Sequence, residues 1–177
     1  MSHEAATPTP EEITLAASIL HKLKPGFLPH DIFLETTRLC ATPILELVPL
    51  RQSQSSKSTE VLLFRRPKND PNWPAKLHTP GTVIRATDTG HNFDAPLQRL
   101  YTDELKFTPS QDPVFTTTVL HSTTRGTEMA TVFYIDLTNL NTPAGDWYPL
   151  HKLPDELVDS QRDFISSAAA LFEKERQ

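Results

Sequence analysis

The stretch Lys76–Phe107, "KLHTPGTVIRATDTGHNFDAPLQRLYTDELKF", sets the reading of the chain. It opens as an apolar strand closed by Pro80-Gly81, continues through a short strand "TVIRAT", and ends in an acidic helix from Phe93 to Phe107. Asp94 suits the N-cap, Pro96 is tolerated only in the first turn, and Phe93 is placed to staple onto the next. On a wheel of about 100° per residue with Leu97 at zero, Leu100, Tyr101 and Leu105 fall at roughly −60°, +40° and +80°. Glu104 falls at about −20°, inside this apolar stripe, and Asp103 at about −120° on its edge, where Arg99 can pair with it one turn back. A carboxylate in an apolar stripe is costly unless it is paired, hydrogen-bonded or bound to a cation. Glu104 is therefore expected to cap a loop amide, to pair with an arginine such as Arg85, or to hold a metal.

Upstream, "TPEE" starts a helix, with Thr9 as N-cap, Pro10 in the first turn and Glu12 completing a capping box. "IFLETTRL" and "PILELVPLR" read as strands because they are apolar and β-branched, and "RQSQSSKST" reads as a polar loop. The continuous apolar run of "EVLLFRRP" predicts a central strand buried on both faces. Downstream, "PVFTTTVLHSTTRGTEMATVFYIDL" alternates around "TRGT" as a long hairpin. "GDWYPL" gives one more short strand, and "PDELVDSQRDFISSAAALFEKER" a closing helix with acids first and bases last. This order predicts an α/β fold in which helices cover both faces of a mixed sheet. Residues 1–8 are expected to form a loose tail and 9–177 one domain, divided into a leading helix and strand (9–43) and a core (44–177).

The 177 residues carry a net charge of −5, which argues against a protein built to neutralise nucleic-acid phosphates. Sixteen prolines against five glycines predict stiff connections. Cys40 is the only cysteine, so no intrachain disulfide forms; its apolar surroundings suggest a small buried hydrophobe. No apolar run reaches the ~20 residues that span a bilayer, and the polar start lacks a signal-peptide pattern, which leads to the expectation of a cytoplasmic protein. The histidines His78, His91, His121 and His151 lack zinc spacing and are assigned to loops or strand faces.

"TPGTVIRATD" ahead of "RLYTDELKF" resembles the Nudix box, G-x5-E-x7-R-E-U-x-E-E-x-G-U with U aliphatic. The glycine that opens the box falls on Thr82 and the first box glutamate on Asp88. After a spacer expanded by three residues, the arginine falls on Arg99 and the late glutamate pair on Asp103 and Glu104. The glutamate after the arginine falls on Leu100 and the last glycine on Lys106. "EVLLFRRP", the tryptophan of the following loop and the closing "GDWYPLHKLPDELVDSQRDFISSAAALF" are also similar to the family, so the likeness runs from about residue 44 onward. The resemblance implies a Nudix-like α/β/α sandwich with an extra N-terminal helix.

It further implies Mg²⁺ or Mn²⁺ held by Asp103, Glu104, Asp88 and Asp146, with Arg99 holding Asp103 and the loop in place. Hard carboxylate oxygens at such a site bind a divalent ion, which neutralises a diphosphate and positions water for attack. Arg65, Arg66, Lys76 and Arg85 are the candidate grips on a nucleotide-type ligand. Two functions remain open. One is a metal-dependent hydrolase of a nucleoside diphosphate-linked compound, weakened by the incomplete box, with Glu104, Asp103 and Arg99 carrying the chemistry. The other is an inactive Nudix-fold protein that binds a nucleotide or a partner. A membrane or a specific nucleic acid is not expected, and a homodimer built on the leading helix or an edge strand is compatible with both.

Overall fold

One long strand, β1 (Thr42–Gln52), organises the molecule, because its two halves pair with different neighbours. The computed structural model describes residues 7–90, 92–138, 140 and 144–176. Most of the tail expected at 1–8, and His91, lie outside them. Helix α1 (Pro10–His21) and helix α2 (His30–Leu39) precede β1. They are followed by β2 (Thr59–Arg65), β3 (Leu77–His78), β4 (Gly81–Val83) and α3 (Asp94–Leu100), which runs on as a π-turn, Tyr101–Leu105. The hairpin β5 (Val114–Thr123) and β6 (Gly126–Asp136) comes next, then β7 (Asp146–Pro149), a 3₁₀ turn at Leu150–Lys152, and α4 (Gln161–Lys174).

Among the described residues the strands form one mixed sheet in the order β3-β2-β1-β6-β5. β1 and β6 run parallel and set Ile44 opposite Ala130, whereas the remaining pairs are antiparallel. β4 pairs with the first half of β1, β2 with the second, and β7 lies along β2. Successive side chains on a strand face opposite sides. Ile44 and Val48 accordingly pack with Phe164, Ile165, Ala168 and Phe172 of α4. Leu45 and Leu47 pack on the other face with Leu97, Leu100, Tyr101 and Leu105. The α/β class and the helix-covered mixed sheet match the expectation.

The segment read as a leading strand, "IFLETTRL", is instead helix α2. Its apolar residues also satisfy a helical spacing: Thr37 is buried and Phe33, one turn earlier, lies under Arg125 with 5.9 Å between guanidinium and ring. The threonines return their hydroxyls to the helix, Thr36 to the Ile32 carbonyl (2.8 Å) and Thr37 to that of Leu34 (2.9 Å). The Thr37 hydroxyl shares its proton between that carbonyl and the Arg125 carbonyl in the β5–β6 turn, so the docking of α2 on the hairpin overrides its β propensity. The turn residue Gly126 has φ +123°, and a β-carbon there would collide with the Thr37 carbonyl oxygen. Gly126→Ala is therefore expected to cost about 2 kcal/mol or more, read as a lower midpoint in urea unfolding with an unchanged slope.

The other sequence-predicted elements differ mainly at their ends. "TVIRAT" is a strand only as far as Val83, and the closing helix starts at Gln161 rather than at the earlier acids. Asp94 does not cap the box helix: it is the first helical residue, and the N-cap residue Phe93 makes no side-chain cap. Cys40 is exposed, not buried, at the C-cap of α2.

Candidate functional site

The box helix widens after Leu100. The segment Tyr101–Leu105 is a π-turn, one residue wider than an α-turn, with Tyr101 and Leu105 buried and Glu104 partly buried beside them. The segment stops at Lys106 with φ 63° and ψ 19°, the left-handed conformation natural to the glycine of the box. Leu100 is 1% exposed and completes the apolar layer with Leu45, Leu47 and Leu97. Where the box would supply a metal-binding glutamate, this chain supplies core packing.

Arg99 and Asp88 are brought together, but as partners of each other. Arg99 Nη2 donates to Asp88 Oδ2 (2.9 Å) and to the Val83 carbonyl (3.0 Å), and Nη1 donates to Asp88 Oδ1. Asp88 Oδ2 also accepts from the Arg85 amide at 2.8 Å. The guanidinium holds the Asp88 carboxyl below the usual carboxylate range, and the pair ties the loop after β4 to the helix. Asp88 is thus engaged by Arg99, and the hydrogen bonds of Arg99 go to Asp88 and Val83 and not to Asp103. Asp103 is exposed, and Asp146 opens β7, exposed, opposite Leu63.

Glu104 keeps one carboxylate oxygen, Oε2, buried without a hydrogen-bond partner among the described residues. Burial raises its carboxyl to about 7, while the charge of Arg66 and the Gly81 amide oppose the rise. His78 Nδ1 approaches Oε2 at 4.0 Å. Burial, and then the charge of Arg66, depress His78 to about 4. Burial favours the neutral form of both groups, so the 4.0 Å approach is not an ion pair. Arg85, the suggested partner of Glu104, instead lies over Phe27 at 5.8 Å.

The centre of the site is a cleft of about 70 Å³ on the α4 side of the sheet. Glu46, between Ile44 and Val48 on the inward face of β1, forms its floor with Glu128 of β6 and His121 of β5. Glu46 Oε2 lies 3.1 Å from Thr79 Oγ1 and accepts from the Gln161 amide nitrogen at 3.3 Å. Thr79 Oγ1 also lies within hydrogen-bond reach of Gln161 Oε1, which accepts from the Thr79 amide at 3.1 Å as well. The threonine hydroxyl has one proton for two acceptors, so the cluster is fully satisfied when Glu46 is itself protonated and donates. Burial, with lesser help from the charges of Glu104 and Glu128, pushes Glu46 up to about 8. Gly81 faces this carboxyl, and a β-carbon there would displace it.

The mouth of the cleft is basic and aromatic. Arg66 and Arg125 flank the Trp73 indole with guanidinium carbons 5.2 and 4.6 Å from the ring. Asp70 accepts from Arg66 Nε at 2.9 Å and from the Asn72 and Trp73 amides at 3.0 and 2.8 Å, which fixes the loop that presents the indole. Arg125 pairs with Glu128, whose other oxygen lies 3.6 Å from His121 Nε2. Arg125 Nε and both His121 ring nitrogens are buried without hydrogen-bond partners among the described residues.

Of the predicted grips, Arg66 alone lines the cleft. Arg65 is exposed and donates to the Ala75 carbonyl at 2.7 Å, and Lys76 contributes its carbonyl to the Arg66 amide at 2.9 Å. Glu46, Thr79, Arg125, Glu128 and Gln161 were not singled out from the sequence. Their signal was present: Glu46 and Glu128 occupy inward positions of otherwise apolar strands, as Glu104 does on its helix.

A divalent ion needs several oxygen ligands at one point. No group of three or more acidic, histidine or cysteine side chains able to hold a metal is found among the described residues. With Asp88 committed to Arg99 and Leu100 in the core, the donor set does not fit the multi-carboxylate cradle of the box.

No protein-family model matches the sequence, and no curated protein matches it. Solved structures do match. The Nudix domain of Shewanella oneidensis NrtR, complexed with ADP ribose, aligns at TM-score 0.60 and 16% identity over 88% of this chain and 97% of that one. A C. elegans Ap4A hydrolase aligns at TM-score 0.53 and 16% identity over 76% and 99% of the two chains. The C-terminal domain of mouse MUTYH, in complex with human PCNA, aligns at 0.56 and 16% over 77% and 90%. The chain has the Nudix fold, as the box-like stretch implied. No helix among the described residues is long and apolar enough to cross a membrane.

Proposed function

We propose that this protein binds a nucleotide-type, diphosphate-containing ligand in the cleft, with the hydrolytic chemistry of the fold weakened or lost. The observation that carries the proposal is the contrast between the two halves of the site. The cleft keeps two guanidiniums, an indole and a buried carboxyl–amide cluster directed at an enclosed space. In the box, Leu100 fills a ligand position with core and Arg99 occupies Asp88. Arg66 and Arg125 would bind phosphate oxygens by charge-assisted hydrogen bonds, and the Glu46–Gln161 pair would offer donor and acceptor groups to a polar ring or hydroxyl edge. ADP ribose bound to the NrtR Nudix domain is a ligand of this chemistry on the same fold.

The test is calorimetric titration with ADP-ribose, nucleotide sugars, dinucleoside polyphosphates and oxidised nucleotides. At least one is expected to bind, and Arg66→Ala is expected to weaken that binding by about tenfold to a hundredfold, the worth of a lost charged hydrogen bond. Silence across the panel would sink the proposal.

A metal-dependent hydrolase is the second reading, favoured by the buried, unpartnered Glu104 Oε2 beside Asp103. Turnover of the same panel with Mg²⁺ or Mn²⁺, abolished in Glu104→Gln, would establish it in place of the first.

A further inference from the structure

Helix α1 is folded but unpartnered. A complete capping box holds its start: Glu12 Oε2 accepts from the Thr9 amide (2.7 Å) and Thr9 Oγ1 from the Glu12 amide (3.2 Å). Yet none of its residues is buried by the described chain. Ile13 and Leu20 are 55% and 51% exposed, and Leu15 and Ile19 are exposed as well. A helix that is apolar on more than one side is one that other protein covers. Its sequence also has an internal symmetry. Ile13, Ala16, Ala17 and Leu20 form one stripe, and this stripe reads large-small-small-large in either direction about its centre between Ala16 and Ala17. The charges are opposed end to end, Glu11 and Glu12 at the start and Lys22 and Lys24 at the end.

We infer that α1 is a self-association helix that pairs antiparallel with α1 of a second copy of this chain. Antiparallel pairing sets Ile13 level with Leu20 of the other copy and Ala16 level with Ala17, so the alanines let the two backbones approach closely at the middle. It also lays each acidic start beside a basic end and opposes the two helix dipoles. A two-fold axis through the alanines makes the contact isologous, which closes the assembly at two chains. A parallel pair would set acid beside acid and base beside base.

The test is sedimentation equilibrium of the full chain over a dilution series. Twice the 19.9 kDa chain mass is expected, falling to the single-chain mass in Ala17→Glu with the main thermal unfolding transition unmoved, since α1 contributes no buried residue to the body of the fold. Glu11→Lys should weaken the dimer and adding Lys22→Glu should restore it, both variants leaving the Thr9–Glu12 capping box intact. A monomer at every concentration overturns the inference. So does a dimer indifferent to Ala17→Glu, or a monomer whose α1 instead binds lipid vesicles.

Discussion

Glu46→Gln is expected to gain thermal stability relative to the wild type as the pH rises from 5 to 9. Glu46 ionises in the folded protein only near 8, against an ordinary 4.5, because burial strips its charged form of water. The stability this shift contributes is fully present below about 4.5 and is lost as the pH rises through about 8. Glu104, raised to about 7, acts in the same direction. His78 acts oppositely: depressed to about 4, it contributes stability that is present above its ordinary 6.5 and lost as the pH falls through 4. Between pH 6.5 and 8 the two glutamates act without that opposition from His78, so the wild-type protein should weaken there. Glutamine keeps the shape and stays uncharged at every pH, although an amide nitrogen that donates to Thr79 Oγ1 cannot also accept from the Gln161 amide, as the oxygen of the neutral acid does. At about 1.4 kcal/mol per pKa unit the effect is of the order of a few kcal/mol, or roughly 5–10 °C for a chain of this size. Melting curves at half-unit steps of pH check it. Parallel profiles for the two proteins would show that Glu46 is not held neutral.

Arg99→Ala should be the most destabilising change in the box. It removes two hydrogen bonds to Asp88 and one to the Val83 carbonyl, and strands a carboxylate whose side chain is 6% exposed. Removal of one partner of a buried ion pair costs more than the pair itself contributes, because the remaining charge has lost its compensation. Arg99 is 19% exposed, so some water reaches the pair, and about 2–3 kcal/mol is expected, not the full cost in a dry interior. The sign with pH follows from Asp88, whose folded value is depressed: the pair's stability is present above the ordinary carboxylate value of 3.8 and lost as the pH falls through the depressed one. The gap between wild type and Arg99→Ala should therefore narrow in acid. Adding Asp88→Asn to Arg99→Ala should recover part of the loss, because no uncompensated charge remains. Urea titrations of the four proteins of this cycle measure it. A loss below about 0.5 kcal/mol would show that the ion pair is solvated and does not brace the loop.

The sequence was informative wherever a local pattern had one physical solution. The alternation in β5 and β6, the apolar run of β2 and the capping box of α1 each led to the element observed. "IFLETTRL" had two solutions. Its β-branched residues favour a strand, yet the same residues bury one helical face against the hairpin turn, and the contact of Thr37 with Arg125 and Gly126 decides for the helix. That contact spans 88 positions and leaves no mark in either segment alone.

The candidate site divides along the same line. The chain by itself showed that Glu104 was misplaced on an apolar helix, that Leu100 stood where a ligand was due, and that a box-like loop preceded both. A regular wheel could not foresee the π-turn over Tyr101–Leu105, nor the pairing of Asp88 with Arg99 across the long spacer. The cleft was further out of reach, because its groups come from β1, β5, β6, the Trp73 loop and the start of α4. Sequence fixes which residues are polar and which positions on a strand face inward. Only the packing of distant segments determines which of those polar groups meet, and how far they are withdrawn from water; here it gathers Glu46, Thr79 and Gln161 into one buried cluster and sends Asp88, Asp103 and Asp146 elsewhere.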